Sequence, residues 1–247
     1  MKRIFLLMGC FALITACNLG VTPAPIPEST PTQAPPPSPE PATPTQVLPP
    51  TAALTFTPEP PQPYFTDEFD AASPYWTFHQ TGGTGTPAIA FDGTLRIDFP
   101  SGDTWYFGVH EANQYANVFL RTKVSASPSG SVGLICRYDE STGWFEYNVA
   151  SDGTYSILIG QWLGSGIAQY RPVASDVSNK IPTGGSEYEL GLSCEDNFLH
   201  LYVNDTLIRN VEVTNYGLTN GKVGLTAASL REFPSSILFE WFKVSDQ

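Results

Sequence analysis

The chain has 247 residues and a formal net charge of −12, with only 15% of its residues charged. From residue 64 onward there are ten basic and twenty-one acidic residues, and no basic cluster longer than Arg121-Thr122-Lys123. Nucleic acids and anionic wall polymers are therefore poor partners, because binding by counterion release needs a cationic face; neutral glycans, cationic ligands and other proteins stay open.

In chain order, Lys2-Arg3 precede an apolar run, Ile4 to Ala12, and then Leu13-Ile14-Thr15-Ala16-Cys17, with small residues directly before the cysteine. A run that short does not span a membrane and stay there. The pattern is that of a bacterial lipoprotein signal over 1–16, with diacylglycerol on the sulfur of Cys17; an ordinary cleaved signal peptide is the alternative. Two acyl chains anchor firmly where one holds marginally. The expected location is the extracellular face of the cell membrane, with membrane contact through the lipid anchor only. Asn18 to Pro63 then hold sixteen prolines, three glutamates and no Lys or Arg. Such a stretch buries too little apolar surface to offset the entropy of ordering, so 17–63 is expected to be a disordered Pro/Thr-rich tether. At about 3.1 Å per residue in polyproline II form, it reaches on the order of 100 Å.

The remaining 64–247 form one domain of ordinary size. Short segments rich in aromatic and β-branched residues follow one another: 94–99, 118–124, 132–138, 144–149, 155–162, 188–194, 198–203, 207–213, 223–227 and 237–244. Between them lie turn signals such as Asp92-Gly93, Ser141-Thr142-Gly143, Asp152-Gly153 and Asn220-Gly221. Asn204-Asp205, set between Leu201-Tyr202-Val203 and Leu207-Ile208, predicts a two-residue hairpin turn of the primed type. No segment carries a helical apolar stripe. The fold class is therefore all-β, two packed antiparallel sheets in a sandwich or jelly roll. A period of two places Cys136 with Val132 and Leu134, and Cys194 with Leu190 and Leu192, so both thiols point inward. They form either one disulfide or two buried thiols. An oxidising envelope favours the disulfide, which would contribute about 3 to 4 kcal/mol in the chain-entropy model.

A resemblance rests on Phe69-Asp70, on Gly133-Leu134-Ile135-Cys136-Arg137-Tyr138, on Trp144-Phe145-Glu146-Tyr147-Asn148-Val149 with Asp152-Gly153-Thr154-Tyr155, on Leu199 to Asn204, on Gly221 to Leu225 and on Phe239 to Val244. These segments resemble the concanavalin A-like lectin/glucanase superfamily, and more narrowly the laminin G-like and 3-keto-disaccharide-hydrolase-like domains of bacterial envelope proteins. The resemblance covers nearly all of 64–247 and implies a jelly-roll sandwich often devoted to glycan or protein recognition. Its catalytic relatives carry Glu-x-Asp-x-(x)-Glu on one strand, because a retaining glycosidase needs two carboxyl groups about 5 Å apart. That string is missing here, and Glu187-Tyr188-Glu189 is simply the solvent face of a half-buried strand. No G-x-S-x-G elbow occurs, and His79, His110 and His200 lack metal-ligand spacing.

The expectation is a non-catalytic recognition module whose partner is a neutral glycan or an envelope protein; the alternatives are a glycoside-acting hydrolase and an accessory module of an envelope assembly. Sugar faces stack on flat rings while their hydroxyls bond to acids, amides and arginine. Trp144, Glu146 and Asn148 lie opposite the core positions of their strand, and Arg137 lies opposite Cys136, so that Arg137 and Glu146 are expected to meet across the turn on an exposed ligand face. Trp105 and Trp162 are secondary candidates. Related sandwiches pin their chain ends with calcium, and the resemblance makes Asp67, Asp70 and Glu240 the candidate ligands for such an ion.

Overall fold

The computed structural model describes residues 61–230 and 235–246. The signal over 1–16, the lipidation residue Cys17 and the stretch 17–60 lie outside the described residues. Pro61 to Pro63 are included: the Gln62 carbonyl accepts from Asn113 and the Pro63 carbonyl from the Tyr115 hydroxyl.

The described residues form fifteen strands: β1 (Phe65–Asp67), β2 (Trp76–Gly82), β3 (Ala88–Phe91), β4 (Leu95–Phe99), β5 (Thr104–Tyr115), β6 (Val118–Ala126), β7 (Gly130–Asp139), β8 (Gly143–Ala150), β9 (Thr154–Gly164), β10 (Ile167–Val177), β11 (Tyr188–Glu195), β12 (Phe198–Val203), β13 (Thr206–Glu212), β14 (Gly221–Ser229) and β15 (Ser235–Ser245). The one helical element among them is a 3-10 turn, Thr214–Tyr216. All ten expected strands are present; β1, β2, β3, β5 and β10 are additional. Asn204 and Asp205 both hold a positive φ, 47° and 58°, as a primed turn requires.

All pairings are antiparallel, and they make two sheets. The back sheet runs β13-β12-β11-β6-β15-β4-β3, with β1 also pairing to β15; the front sheet runs β10-β9-β8-β7-β14-β5-β2. Between them lies the main core. The back sheet supplies Leu120, Val124, Leu190, Leu192, Phe239 and Phe242, and the front sheet Leu134, Phe145, Tyr147, Ile157 and Leu225, all fully buried. Each such side chain contributes roughly 1.5–3 kcal/mol of transfer free energy. Cys136 of β7 and Cys194 of β11 are both fully buried and joined as a disulfide, so the expected bond forms and ties the front sheet to the back.

The front sheet does not stay open. Laid flat, its seven strands would hold β10 about 29 Å from β2. Instead, Cα atoms of β10 and β2 come within 8 Å of each other. The sheet has curled until its outer, concave face nearly closes on itself, and alternate residues on that face build a second apolar cluster: Phe107, Val109, Ile135, Tyr138 and Trp144, with Trp162, Ala168 and Tyr170 packed against it.

Candidate functional site

The concave face is built by parity. On β8 the side chains of Phe145, Tyr147 and Val149 enter the main core, which turns Trp144, Glu146 and Asn148 to the other side. Gly160 on β9 pairs with Trp144, and a β-carbon there would collide with the indole, so this glycine is what lets the ring lie flat on the sheet. Around Trp144 gather Phe107 at 5.3 Å, Tyr138 at 5.3 Å, Trp162 at 5.4 Å and, edge-on, Tyr170 at 5.9 Å between ring centroids. Tyr170 also reaches Trp105 at 6.3 Å, from one side of the curled sheet to the other.

At the centre of this cluster is Glu146, with 0% exposure. Its carboxyl accepts from Trp144 Nε1 at 3.0 Å, Asn148 Nδ2 at 2.8 Å and Thr226 Oγ1 at 3.2 Å. All three donors are neutral. Burial raises its pKa above the ordinary carboxylate value, against the smaller lowering effect of the three hydrogen bonds. The Tyr170 hydroxyl is buried without a hydrogen-bond partner among the described residues, and burial, then the nearby Glu146, holds its pKa far above that of a free phenol.

Three of the expected ligand residues are thus brought together, but not on an exposed face. Trp144 and Glu146 have no solvent exposure and Asn148 has 7%, because the curl of the sheet folds β9 and β10 over them. Trp105 and Trp162 join the same face, half-buried. Arg137 does not. The β7–β8 register pairs Ile135 with Glu146 and Cys136 with Phe145, then shifts before Asp139, and Arg137 sits in that bulge at φ 55°. Its guanidinium turns away and donates to the carbonyls of Leu218 at 2.9 Å, Ala116 at 3.2 Å and Asp196 at 2.6 Å. It ties three loops together at one end of the sandwich, buried and out of reach of Glu146.

Of the calcium candidates, Asp67 and Asp70 line one cavity near the start of the described residues, and Glu240 is not among its lining residues. Asp67 uses one oxygen to accept from the Phe69 amide at 2.9 Å and the other to accept from Trp76 Nε1 at 2.7 Å. Glu240 faces Lys123 at 2.8 Å. Among the described residues no group of three or more His, Cys, Asp or Glu is arranged to hold a metal ion.

Two cavities border the concave face. One is a cavity of about 310 Å³ lined by Ser131, Asn148, Tyr155, Ser156, Ser175 and Asp176. The other is larger, about 750 Å³, and lies between β2, the β7–β8 turn and the β9–β10 hairpin. Its lining residues include His79, Trp162, Glu140, Ser141 and the hairpin tip Leu163 to Gly166; Gln80 also borders it, but its amide donates to the carbonyls of Gly82 at 3.3 Å and Gly85 at 2.8 Å. Trp162 Nε1 donates to the Tyr138 hydroxyl at 3.0 Å, which fixes the indole. His79 lies over Phe107 at 5.1 Å and beside Trp162 at 5.5 Å. Burial lowers its pKa below the usual imidazole value, outweighing the opposite pull of Glu111 and Glu140, so it is neutral at pH 7. Glu111 itself is held by Lys222. Of these residues, sequence reasoning singled out Trp162; His79 and Gln80 lie on β2, whose mixed composition gave no strand signal.

No protein-family model matches the chain, and no curated protein sequence matches it. Solved structures do. A protein of unknown function with a galectin-like fold from Bacillus subtilis is 13% identical, with 74% of this chain and 94% of that one covered, at a TM-score of 0.55. A glycoside hydrolase family 16 enzyme of Bacteroides ovatus, in complex with a mixed-linkage glucan product, is 8% identical over 73% and 99%, at 0.54. The β-glucanase of Bacillus licheniformis is 12% identical over 74% and 98%, at 0.51. At such identities the likeness is one of fold. The domain has the concanavalin A-like jelly-roll fold shared by lectins and glucanases.

Proposed function

We propose that this chain is a cell-surface lipoprotein, anchored through Cys17 and spaced from the membrane by its Pro/Thr-rich stretch, whose jelly roll binds a neutral glycan without cleaving it. The observation that carries this reading is the larger mouth: two flat rings, His79 and Trp162, beside a carboxylate and a hydroxyl, Glu140 and Ser141, in a cavity of a size that suits small ligands. Pyranose faces stack on such rings and sugar hydroxyls bond to such polar groups. The acidic surface suits an uncharged ligand, and solved neighbours of this fold include enzymes acting on β-glucans. Against a catalytic role for Glu146 stands its burial: it is sealed from solvent and from the mouth by the aromatic rings around it.

Titration of the full chain with a panel of neutral polysaccharides and oligosaccharides tests the binding. Saturable binding that weakens about tenfold or more in Trp162→Ala is the expected result. Release of reducing sugar from the bound glycan would replace this reading with the hydrolase. Anchoring is tested separately in cells: metabolic labelling with a fatty-acid analogue marks the native chain, and Cys17→Ser removes the label and frees the protein from the membrane fraction.

A further inference from the structure

In an open concave sheet, a polysaccharide can lie along the groove with both ends projecting. Among the described residues the concave face forms no such groove, because β10 meets β2 across it and aromatic rings fill it. Behind the rings of His79 and Trp162 the way inward is stopped by Phe107, Tyr138 and Trp144, whose ring centroids stand 5.3 Å (Phe107 and Tyr138 to Trp144) and 5.7 Å (Phe107 to Trp162) apart. Beyond them lies Glu146 with its three hydrogen bonds, and beyond that Asn148, which reaches the smaller cavity at the opposite end. Above, the seam between β10 and β2 and the contact of Tyr170 with Trp105 roof the passage. At the sides of the larger mouth, the β7–β8 turn with Glu140 and Ser141 faces the hairpin tip Leu163 to Gly166. The mouth is therefore a blind pocket. A chain that enters it has no exit.

Resting on the glycan-binding reading above, we propose that the pocket receives the terminal residue of a neutral glycan chain and excludes internal segments. A terminal pyranose presents one ring face to Trp162 and His79 while its free hydroxyls meet Glu140 and Ser141; an internal residue carries a second glycosidic substituent that would have to pass through Trp144. The neutral imidazole of His79 serves both as donor and as acceptor to such hydroxyls. The plug is not incidental filling, since Gly160 leaves the space that Trp144 occupies.

The test compares one polysaccharide before and after partial cleavage. The full chain is titrated with whichever glucan, mannan, xylan, galactan or fructan of a neutral panel it binds best, intact and then cut by an endo-acting enzyme at constant mass. Because one blind pocket holds one chain end, cutting the chains to about a tenth of their length raises the binding capacity per gram about tenfold, and the intact polymer takes up a number of proteins independent of its length. Capacity unchanged by cutting, with more proteins bound to longer chains, overturns terminal recognition while leaving glycan binding in place. Silence across the whole panel overturns the glycan reading and this inference with it.

Discussion

Glu146 is a carboxylic acid placed where water cannot reach it, among donors that carry no charge. Burial disfavours its ionised form, so its pKa in the folded chain is raised. The sign of the consequence follows from linkage. Below about pH 4.5 the acid is protonated in both folded and unfolded chains; as pH rises above that, the unfolded chain ionises first, and the favourable contribution is lost up to the folded pKa. Glu146→Gln has no proton to lose there. The variant is therefore expected to gain on the native chain as pH rises from 4.5 to 7.5, with a slope of at most about 1.4 kcal/mol per pH unit. Urea unfolding of both proteins across that range measures it, and parallel curves would mean that Glu146 ionises as easily inside as outside. Arg137 shows the opposite arrangement at the same scale. Its charge is buried on three carbonyl oxygens, with the Asp196 charge nearby favouring the cation against burial; the alternation along β7 could not reveal this, because the bulge at Arg137 breaks the parity on which that reading rested.

Strands differ in how plainly their residues announce them. β4 and β6 alternate between fully buried and more accessible positions along their whole length, and both were legible. β5 was not: Thr104 to Tyr115 is apolar at successive positions because it packs the main core on one side and the concave cluster on the other, which erases the period of two. β10 hides behind Pro172, which an edge strand tolerates and which coincides with a register shift between Pro172 and Ala174. Since β2 and β10 are the two elements that meet when the front sheet curls, missing them meant missing the closure. Parity correctly placed Trp144, Glu146 and Asn148 on one face, yet whether that face was wet depended on strands six positions apart in the sheet order. The hairpin joining β12 and β13 shows local chemistry at its most legible. Asp205 holds φ 58° and pairs with Arg121 at 2.6 Å on the surface. Asp205→Gly keeps the turn and loses only an exposed ion pair, whereas Asp205→Ala adds left-handed strain of about 1 kcal/mol. Chemical denaturation should therefore rank alanine below glycine at this site; equal stabilities would deny that the turn geometry carries the cost.

For the molecule as a whole, the two sheets do different work. The back sheet covers one side of the main core, while the front sheet is shared between that core and the closed concave cluster, so its position must hold both at once. The Cys136–Cys194 bond joins β7, central in the front sheet, to β11 in the back sheet, across 58 residues of sequence. Closing a loop of that length removes about 4 kcal/mol worth of unfolded-state freedom in the chain-entropy model. Both sulfurs are fully buried, so a reductant reaches them only through an opened molecule. Two outcomes follow. The native chain should resist reduction until it unfolds, and a Cys136→Ala/Cys194→Ala double variant should fold with stability lowered by about 4 kcal/mol, give or take the packing of the lost sulfurs. If the bond chiefly keeps the front sheet registered over the core, that variant also loses glycan binding at temperatures where it remains folded, since the mouth is shaped by the curl and not by any one strand. Binding and near-ultraviolet circular dichroism followed on the same sample separate the two: affinity falling only together with the tertiary signal assigns the bond to stability alone, and affinity falling first assigns it to the shape of the site.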